Sequence, residues 1–294
     1  MMEHHHEHNE AKKQLVLGLI LNGSFTIIEL AGGLLSNSLA LVSDALHDFT
    51  DTIALSLSLY ANKKAVQKPS KTKTFGYKRA TIIAALFNAI VLIALTFFIF
   101  YKAYQKIINP EKVNGMVVFV IAFFGILFNG IVVLRMWKTK DKDINIKSVF
   151  WHLLEDALGW FGVLIAGIVI IFTGWYVIDP IISIIIGLIV IHGAYGIIKE
   201  TLDIFMLAVP EGINIDDITK EIKKIAKVKG VHELHVWTVG SNHYALSGHI
   251  LVRNMKISST YPILCEINKT LKEKFKIEHT TIEFECEKCK RICY

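Results

Sequence analysis

Cysteine is scarce in this chain, and its few copies are confined to one region. The 294 residues include four cysteines, at positions 265, 286, 289 and 293, all in the polar C-terminal part. A secreted domain held by a disulfide framework would carry its cysteines at intervals through the fold. The sequence therefore predicts reduced thiols or metal ligands rather than disulfides.

Proline and charge are both rare inside a set of long apolar segments. The five prolines fall between these segments or at the start of a helix, so none of them interrupts a segment, and residues 80–101 contain no charged residue at all. Each segment reaches the roughly 20 residues that a membrane-spanning helix needs. The segments predict six transmembrane helices, at about 14–35, 38–62, 80–106, 113–137, 148–173 and 177–199. Asp179 and Pro180 predict an N-cap and a first helical residue for the sixth.

The remaining polar sequence predicts a soluble appendage. The chain is 53% hydrophobic yet 20% charged, and the charges are unevenly placed, which fits a helical bundle joined to a soluble domain. After Pro210, helical and alternating patterns predict the order αββαβ, over 215–228, 231–239, 244–252, 260–275 and 280–285. The fold class is thus a membrane all-α six-helix bundle plus a cytoplasmic α+β domain. The predicted domains are a His-rich tail (1–13), the transmembrane domain (14–208) and a metal-binding, dimerising domain (209–294).

Lysine and arginine predict the orientation in the membrane. Twelve of them lie in the connections after spans two and four, three in the connection after span three, and none in those after spans one and five. The positive-inside rule then places both termini in the cytoplasm. The net charge of +6 is accounted for by these loops, so no nucleic-acid partner is predicted. The short N-terminal tail and the lack of a long His-rich loop after span four favour a prokaryotic plasma membrane.

Two copies of one spacing carry the functional prediction. His47 and Asp51 in span two, and His152 and Asp156 in span five, are each four residues apart, so each pair projects from one side of its helix. Pairing with basic residues would be the structural explanation, but no Lys or Arg lies near the middle of any span. Two imidazoles and two carboxylates can complete a tetrahedral Zn²⁺ site, and ionisable groups at membrane depth indicate function.

Charge balance suggests how such a site could exchange ions. Two aspartates and two neutral histidines hold Zn²⁺ with no net charge, and protonation of both histidines restores that neutrality once the metal leaves. An ordinary histidine pKa of about 6.5 lies close enough to cellular pH for this exchange. The hypothesis is export of zinc in exchange for H⁺, with protons and zinc as the transported ions.

Motifs along nearly the whole chain resemble the cation diffusion facilitators. They are ALVSDALHDFTD, FGYKRATIIAALFNA, HLLEDALGWFGVLIAG and DPIISIIIGLIV in the spans, and HELHVWTV and HTTIEFE in the soluble part. The resemblance implies six helices, a ferredoxin-like cytoplasmic domain, a homodimer and proton-driven metal efflux. It also implies a zinc-type transport site of His47, Asp51, His152 and Asp156, with Cd²⁺ or Co²⁺ as alternative cargo. Asp48 and Glu155 are extra acids, either secondary sites or solvent-facing residues.

The soluble part contains a second set of candidate ligands. His232 and His249 lie on neighbouring predicted strands, and Glu283 and Glu285 share one face of the last strand. This set is similar to the family's regulatory zinc site. Cys286 and Cys289 have the spacing of thiolate ligands but are incomplete alone; the histidines of the N-terminal tail could complete them, or that tail could be a simple chelating segment.

Other functions fit less well. An intramembrane metalloenzyme would need an HExxH helix and an open position for water, whereas HELH at 232–235 is too short and lies in the soluble part; no enzyme activity is predicted. A channel conflicts with ligands that fully enclose the ion. Glu29 in span one is polar at membrane depth, and the sequence predicts an interhelical hydrogen bond for it.

Overall fold

The computed structural model describes residues 23–137, 144–240 and 243–286, except for the side chains of residues 144–149, 151 and 152. The chain divides into two compact units. One comprises residues up to Ser56 together with Asn88–Gly196, and the other comprises Leu57–Phe87 together with the chain from Ile197 onward. Three long helices therefore contribute to both units.

The membrane part consists of six helices, as predicted. They are α1 (Gly23–Ser36, its described part), α2 (Leu39–Ala65), α3 (Ala80–Ile108), α4 (Gly115–Met136), α5 (Ile144–Thr173) and α6 (Ile178–Phe205). Helices α3 to α6 are long and apolar enough to cross a bilayer. The 27 residues of α2 are sufficient in length, but their polar stripe lowers their apolar character. Large apolar side chains, including Phe97, Phe161 and Leu188, are exposed on the helices, where lipid can contact them.

Glycines allow α4 and α5 to approach closely. A Cβ atom at Gly167 would lie 2.9 Å from the backbone nitrogen of Phe119, and one at Gly115 would lie 3.1 Å from the carbonyl oxygen of Gly167. Further along the same pair, the Trp160 ring occupies the place where a Cβ of Gly125 would be. Small residues at such crossings are the usual means of packing helices within a membrane. This packing fixes the face of α5 that carries Asp156.

The soluble domain is a ferredoxin-like α+β sandwich in the predicted order. It contains α7 (Ile215–Lys223), β1 (Val228–Gly240), β2 (His243–Val252), α8 (Tyr261–Phe275) and β3 (Ile277–Cys286). The sheet order is β1-β2-β3, with β1 antiparallel and β3 parallel to β2. Isoleucines and leucines of the helices, such as Ile218, Ile267 and Leu271, pack on the sheet as one core.

The bounds differ from prediction at α7 and the strands. The sequence predicts a helix over 215–228, but α7 ends at Lys223 and β1 begins at Val228. Lys227 has a φ of 74°, a left-handed conformation that turns the chain out of the helix. The isoleucine spacing continues beyond this turn because Ile225 still enters the core.

Candidate metal sites

The first candidate site begins with one turn of α2. His47 and Asp51 lie on the same side of the helix, with His47 Nε2 and Asp51 Oδ2 3.7 Å apart, and both side chains are partly buried. Nδ1 of His47 is buried, and no described residue forms a hydrogen bond with it. The apolar residues around the stripe, such as Ala45, are buried against neighbouring helices. The pair offers a nitrogen and an oxygen ligand from one helix, as the sequence predicts.

The polar stripes of α2 and α5 face each other. A Cβ at Gly159 on α5 would lie 3.7 Å from Oδ1 of Asp44 on α2. Asp156, one turn before Gly159, interacts electrostatically with Asp44 and with Glu29 of α1. His152 belongs to α5 one turn before Asp156, but its side chain lies outside the described residues. The described members of the predicted transport site, His47, Asp51 and Asp156, thus come from two stripes directed at one another.

Asp179 of α6 fixes the start of α2. Its carboxylate accepts hydrogen bonds from the backbone N–H of Leu39 at 2.6 Å, from that of Ala40 at 3.3 Å, and from the hydroxyl of Ser38. The prediction that Asp179 caps its own helix is therefore wrong, because α6 begins at Ile178 and the side chain serves another helix. Capping by a carboxylate satisfies N–H groups that have no partner within the helix.

Glu29 does not make the interhelical hydrogen bond that the sequence predicts. Its side chain is fully buried, and neither carboxylate oxygen accepts a hydrogen bond from a donor among the described residues. Its neighbours are the carboxylates of Asp48 and Asp44, which offer no donor when ionised. The prediction failed because the polar groups that meet α1 at this depth are themselves acids.

The second candidate site lies on the sheet of the soluble domain. His232 of β1 and His249 of β2 are direct cross-strand partners, with ring centroids 5.3 Å apart. Glu285 of β3 contacts both, at 2.7 Å from Nδ1 of His249 and 3.1 Å from Nε2 of His232. One ligand atom from each of these three residues lies within 4.8 Å of the others. The structure therefore brings together three of the four residues predicted for this site.

Two further glutamates lie beside these three residues. The predicted Glu283 has its Oε2 atom 3.9 Å from Nε2 of His249 and is 70% exposed. Glu233, which the sequence analysis did not select, approaches the same nitrogen to 3.7 Å. Strand alternation would direct Glu233 away from His232, but the β1–β2 register shifts between His232 and His235 and Glu233 has a φ of 49°. This bulge redirects the side chain, and no simple period in the sequence reveals it.

The local charges raise the pKa of His249. Its hydrogen bond to Glu285 is the main cause, and Glu233 and Glu283 reinforce it, while burial acts in the opposite direction. The imidazolium form is thus favoured in the absence of metal. A cation of higher charge could replace that proton and use the same carboxylates.

The predicted thiolate pair is described only in part. Cys286 ends β3, where it is the register partner of Val252, and Cys289 lies outside the described residues, as do the histidines of the N-terminal tail. The prediction that these groups bind metal therefore stays a prediction.

Comparison with known proteins assigns both parts of the chain. Residues 15–206 match the cation efflux transmembrane domain, and residues 210–287 match the cation efflux protein, cytoplasmic domain. The chain is 37% identical over 289 residues to the cadmium, cobalt and zinc/H⁺-K⁺ antiporter of Bacillus subtilis, covering 97% of this chain and 93% of the relative.

Other relatives agree. The metal cation efflux system protein CzcD of Cupriavidus metallidurans is 34% identical, with 98% of this chain and 91% of the relative covered. The zinc transporter ZitB of Escherichia coli is 32% identical, with 98% and 94% covered. A solved structure, the metal-bound C-terminal domain of the CzcD transporter, is 30% identical and covers 25% of this chain and 99% of its own, with a TM-score of 0.23.

The two domain matches and the full-length relatives confirm the resemblance carried by the sequence motifs. The relatives are transporters, so the prediction that the chain is not an enzyme is also confirmed. The chain belongs to the cation diffusion facilitator family and is a multi-pass membrane transporter that exports divalent metal cations.

Proposed function

We propose that this transporter exports Zn²⁺ from the cytoplasm in exchange for protons, and that His47, Asp51, His152 and Asp156 bind the ion. The observation that carries the proposal is the facing arrangement of the α2 and α5 stripes, in which an imidazole and a carboxylate come from one helix and a further carboxylate from the other. Such a mixed nitrogen and oxygen set suits Zn²⁺. It also suits Cd²⁺ and Co²⁺ less selectively, so these ions are the alternative cargo.

Charge balance supports proton exchange. Metal ligands must be deprotonated, so metal binding and proton release are linked. Neutral histidines and ionised aspartates balance the charge of Zn²⁺, and protonated histidines balance the aspartates when the metal has left. The Bacillus subtilis relative is named as an antiporter of zinc against H⁺ and K⁺, which agrees with this scheme.

The test is transport by purified protein in liposomes that contain a zinc-sensitive dye and a pH-sensitive dye. We expect zinc flux to follow an imposed pH gradient and to be accompanied by proton movement in the opposite direction. Asp51→Asn should abolish zinc flux, whereas Asp203→Asn, an exposed acid on α6, should leave it intact. Zinc flux that ignores the pH gradient would refute the exchange, and flux retained by Asp51→Asn would refute the site.

The same liposomes test the choice of metal. Zinc, cadmium and cobalt are added in competition, and each is measured inside the vesicles after a fixed time. The proposal expects zinc to be carried in preference. Stronger transport of cadmium or cobalt would establish the alternative cargo.

We further propose that His232, His249 and Glu285 bind a regulatory Zn²⁺, with Glu283 assisting, in a homodimer joined through the soluble domains. The support is the convergence of two imidazole nitrogens on one carboxylate. Glu285→Gln should remove one zinc ion per chain from the detergent-solubilised protein, and the exposed Glu273→Gln on α8 should remove none. Equal zinc content in both variants would exclude this site, and a monomeric mass in light scattering would exclude the dimer.

The proposed location is a prokaryotic plasma membrane with both termini in the cytoplasm. All four cysteines belong to the soluble part, and Cys265 is exposed on α8. A membrane-impermeant thiol reagent should therefore leave the protein unlabelled in intact cells and label Cys265 in inverted vesicles. Labelling in intact cells would reverse the orientation.

A further inference from the structure

Helix α1 places an acid with no hydrogen-bond donor deep in the membrane part. Glu29 is 0% exposed, and both of its carboxylate oxygens lack a hydrogen-bond partner among the described residues. Burial of an ionised carboxylate under these conditions is very unfavourable. The position needs either a cation or a proton.

The groups that face Glu29 are all acids. Its side chain meets that of Asp48, and Asp44 and Asp156 act on it electrostatically. Asp44 is 5% exposed, and its Oδ2 atom also has no partner among the described residues. These acids come from α2 and α5. Helix α4, which contacts α1 through the Phe25–Phe128 ring pair, carries no ionisable side chain between Gly115 and Leu134.

Two carboxyl groups that meet in a buried place have one favourable arrangement. If one is protonated, its O–H donates to the other, and the pair carries a single negative charge instead of two. Glu29 and Asp48 are so placed, and no Lys or Arg of the described part of α1, or of α2 before residue 63, could neutralise them instead. The most economical occupant is a proton.

We propose that Glu29 is a proton-binding residue distinct from the His/Asp metal site, with Asp48 as the acceptor of its hydrogen bond, and that this proton is part of the exchange. The inference rests on the proposed zinc–proton exchange. It adds a carboxyl carrier on α1 to the histidine carriers on α2 and α5. In the step itself, the Glu29 O–H bond breaks and its proton leaves to water, and the carboxylate takes a proton from water to return to the neutral form.

Glu29→Gln provides the test, because the amide retains a donor toward Asp48 but cannot carry a proton. In the two-dye liposome assay we expect this variant to bind zinc normally while fewer protons move per zinc ion than in the wild type. Glu155→Gln is the matched control, since Glu155 is exposed on α5; it should keep the wild-type proton count. Glu29→Asp, which can still be protonated, should recover part of the loss.

An infrared measurement gives a readout that does not depend on transport. The wild-type protein in lipid should show the carbonyl stretch of a protonated carboxyl group shielded from water at neutral pH, and Glu29→Gln should lose that band. A wild-type proton count in Glu29→Gln, or an unchanged band, would overturn the proposal. Loss of zinc binding in Glu29→Gln would also overturn it, because Glu29 would then belong to the metal site. If the wild type moved zinc without protons, the exchange itself would fail, whatever the infrared band showed.

Discussion

The packing of Trp160 against α4 leads to a quantitative prediction. Trp160 is 1% exposed and occupies the space beside Gly125, where an added Cβ would lie 2.3 to 2.7 Å from three ring atoms. Ordinary van der Waals contact begins at 3.4 Å, so Gly125→Ala requires the ring or the helix to move by about an ångström. Overpacking of this kind costs about 1–3 kcal/mol.

The matched control is Gly193→Ala on α6, where no atom of the described residues lies within 4 Å of the new Cβ. Both substitutions gain about 1 kcal/mol of helix propensity, so the propensity gain cancels in the comparison. We expect Gly125→Ala to be less stable than Gly193→Ala by about 1–3 kcal/mol. Thermal unfolding of the two variants in the same detergent measures the difference.

A third variant distinguishes the clash from a general effect on α4. Adding Trp160→Leu to Gly125→Ala removes the ring atoms that the new methyl group meets, so the second substitution should cost less in that background than alone. Contacting residues show this kind of non-additivity. Equal stability of Gly125→Ala and Gly193→Ala, or strict additivity in the double variant, would refute the reasoning.

Two further predictions concern the soluble domain and the start of α2. The hydrogen bond from Glu285 raises the pKa of His249, so metal-free protein should lose stability as the pH rises from about 6.5 through the raised value; Glu285→Gln should flatten this dependence in thermal unfolding, and a dependence unchanged by that variant would contradict the assignment. Asp179→Ala removes the acceptor for the first N–H groups of α2 and should cost about 0.5–2 kcal/mol; the exposed Asp203→Ala should cost less under the same conditions, and equal losses would argue against the cap.

The sequence predicts the elements well and the unusual contacts poorly. Long apolar runs and the change of period after Pro210 correctly predict the six helices and the αββαβ order, because burial in lipid or in a core imposes those periods. The approach of Glu285 to two histidines also follows from strand alternation. Glu233 does not, because a bulge reverses its direction.

Long-range partners explain the other differences. Asp179 caps a helix that begins 140 residues earlier in the chain, and a local capping pattern gives no sign of such a partner. Glu29 appears in the sequence as a lone polar residue, and only packing shows that it meets acids from other helices. In both cases the decisive interaction joins residues that no local period relates.

The cap that Asp179 provides also makes α2 a lever with one anchored end. His47 lies eight residues from Leu39, about 12 Å along the helix axis at 1.5 Å per residue. A tilt of about 5° around the anchored end would carry the imidazole roughly 1 Å sideways, whereas metal–ligand distances tolerate only about 0.2 Å. A swing too small to disturb the apolar packing of the helix is therefore enough to release the ion.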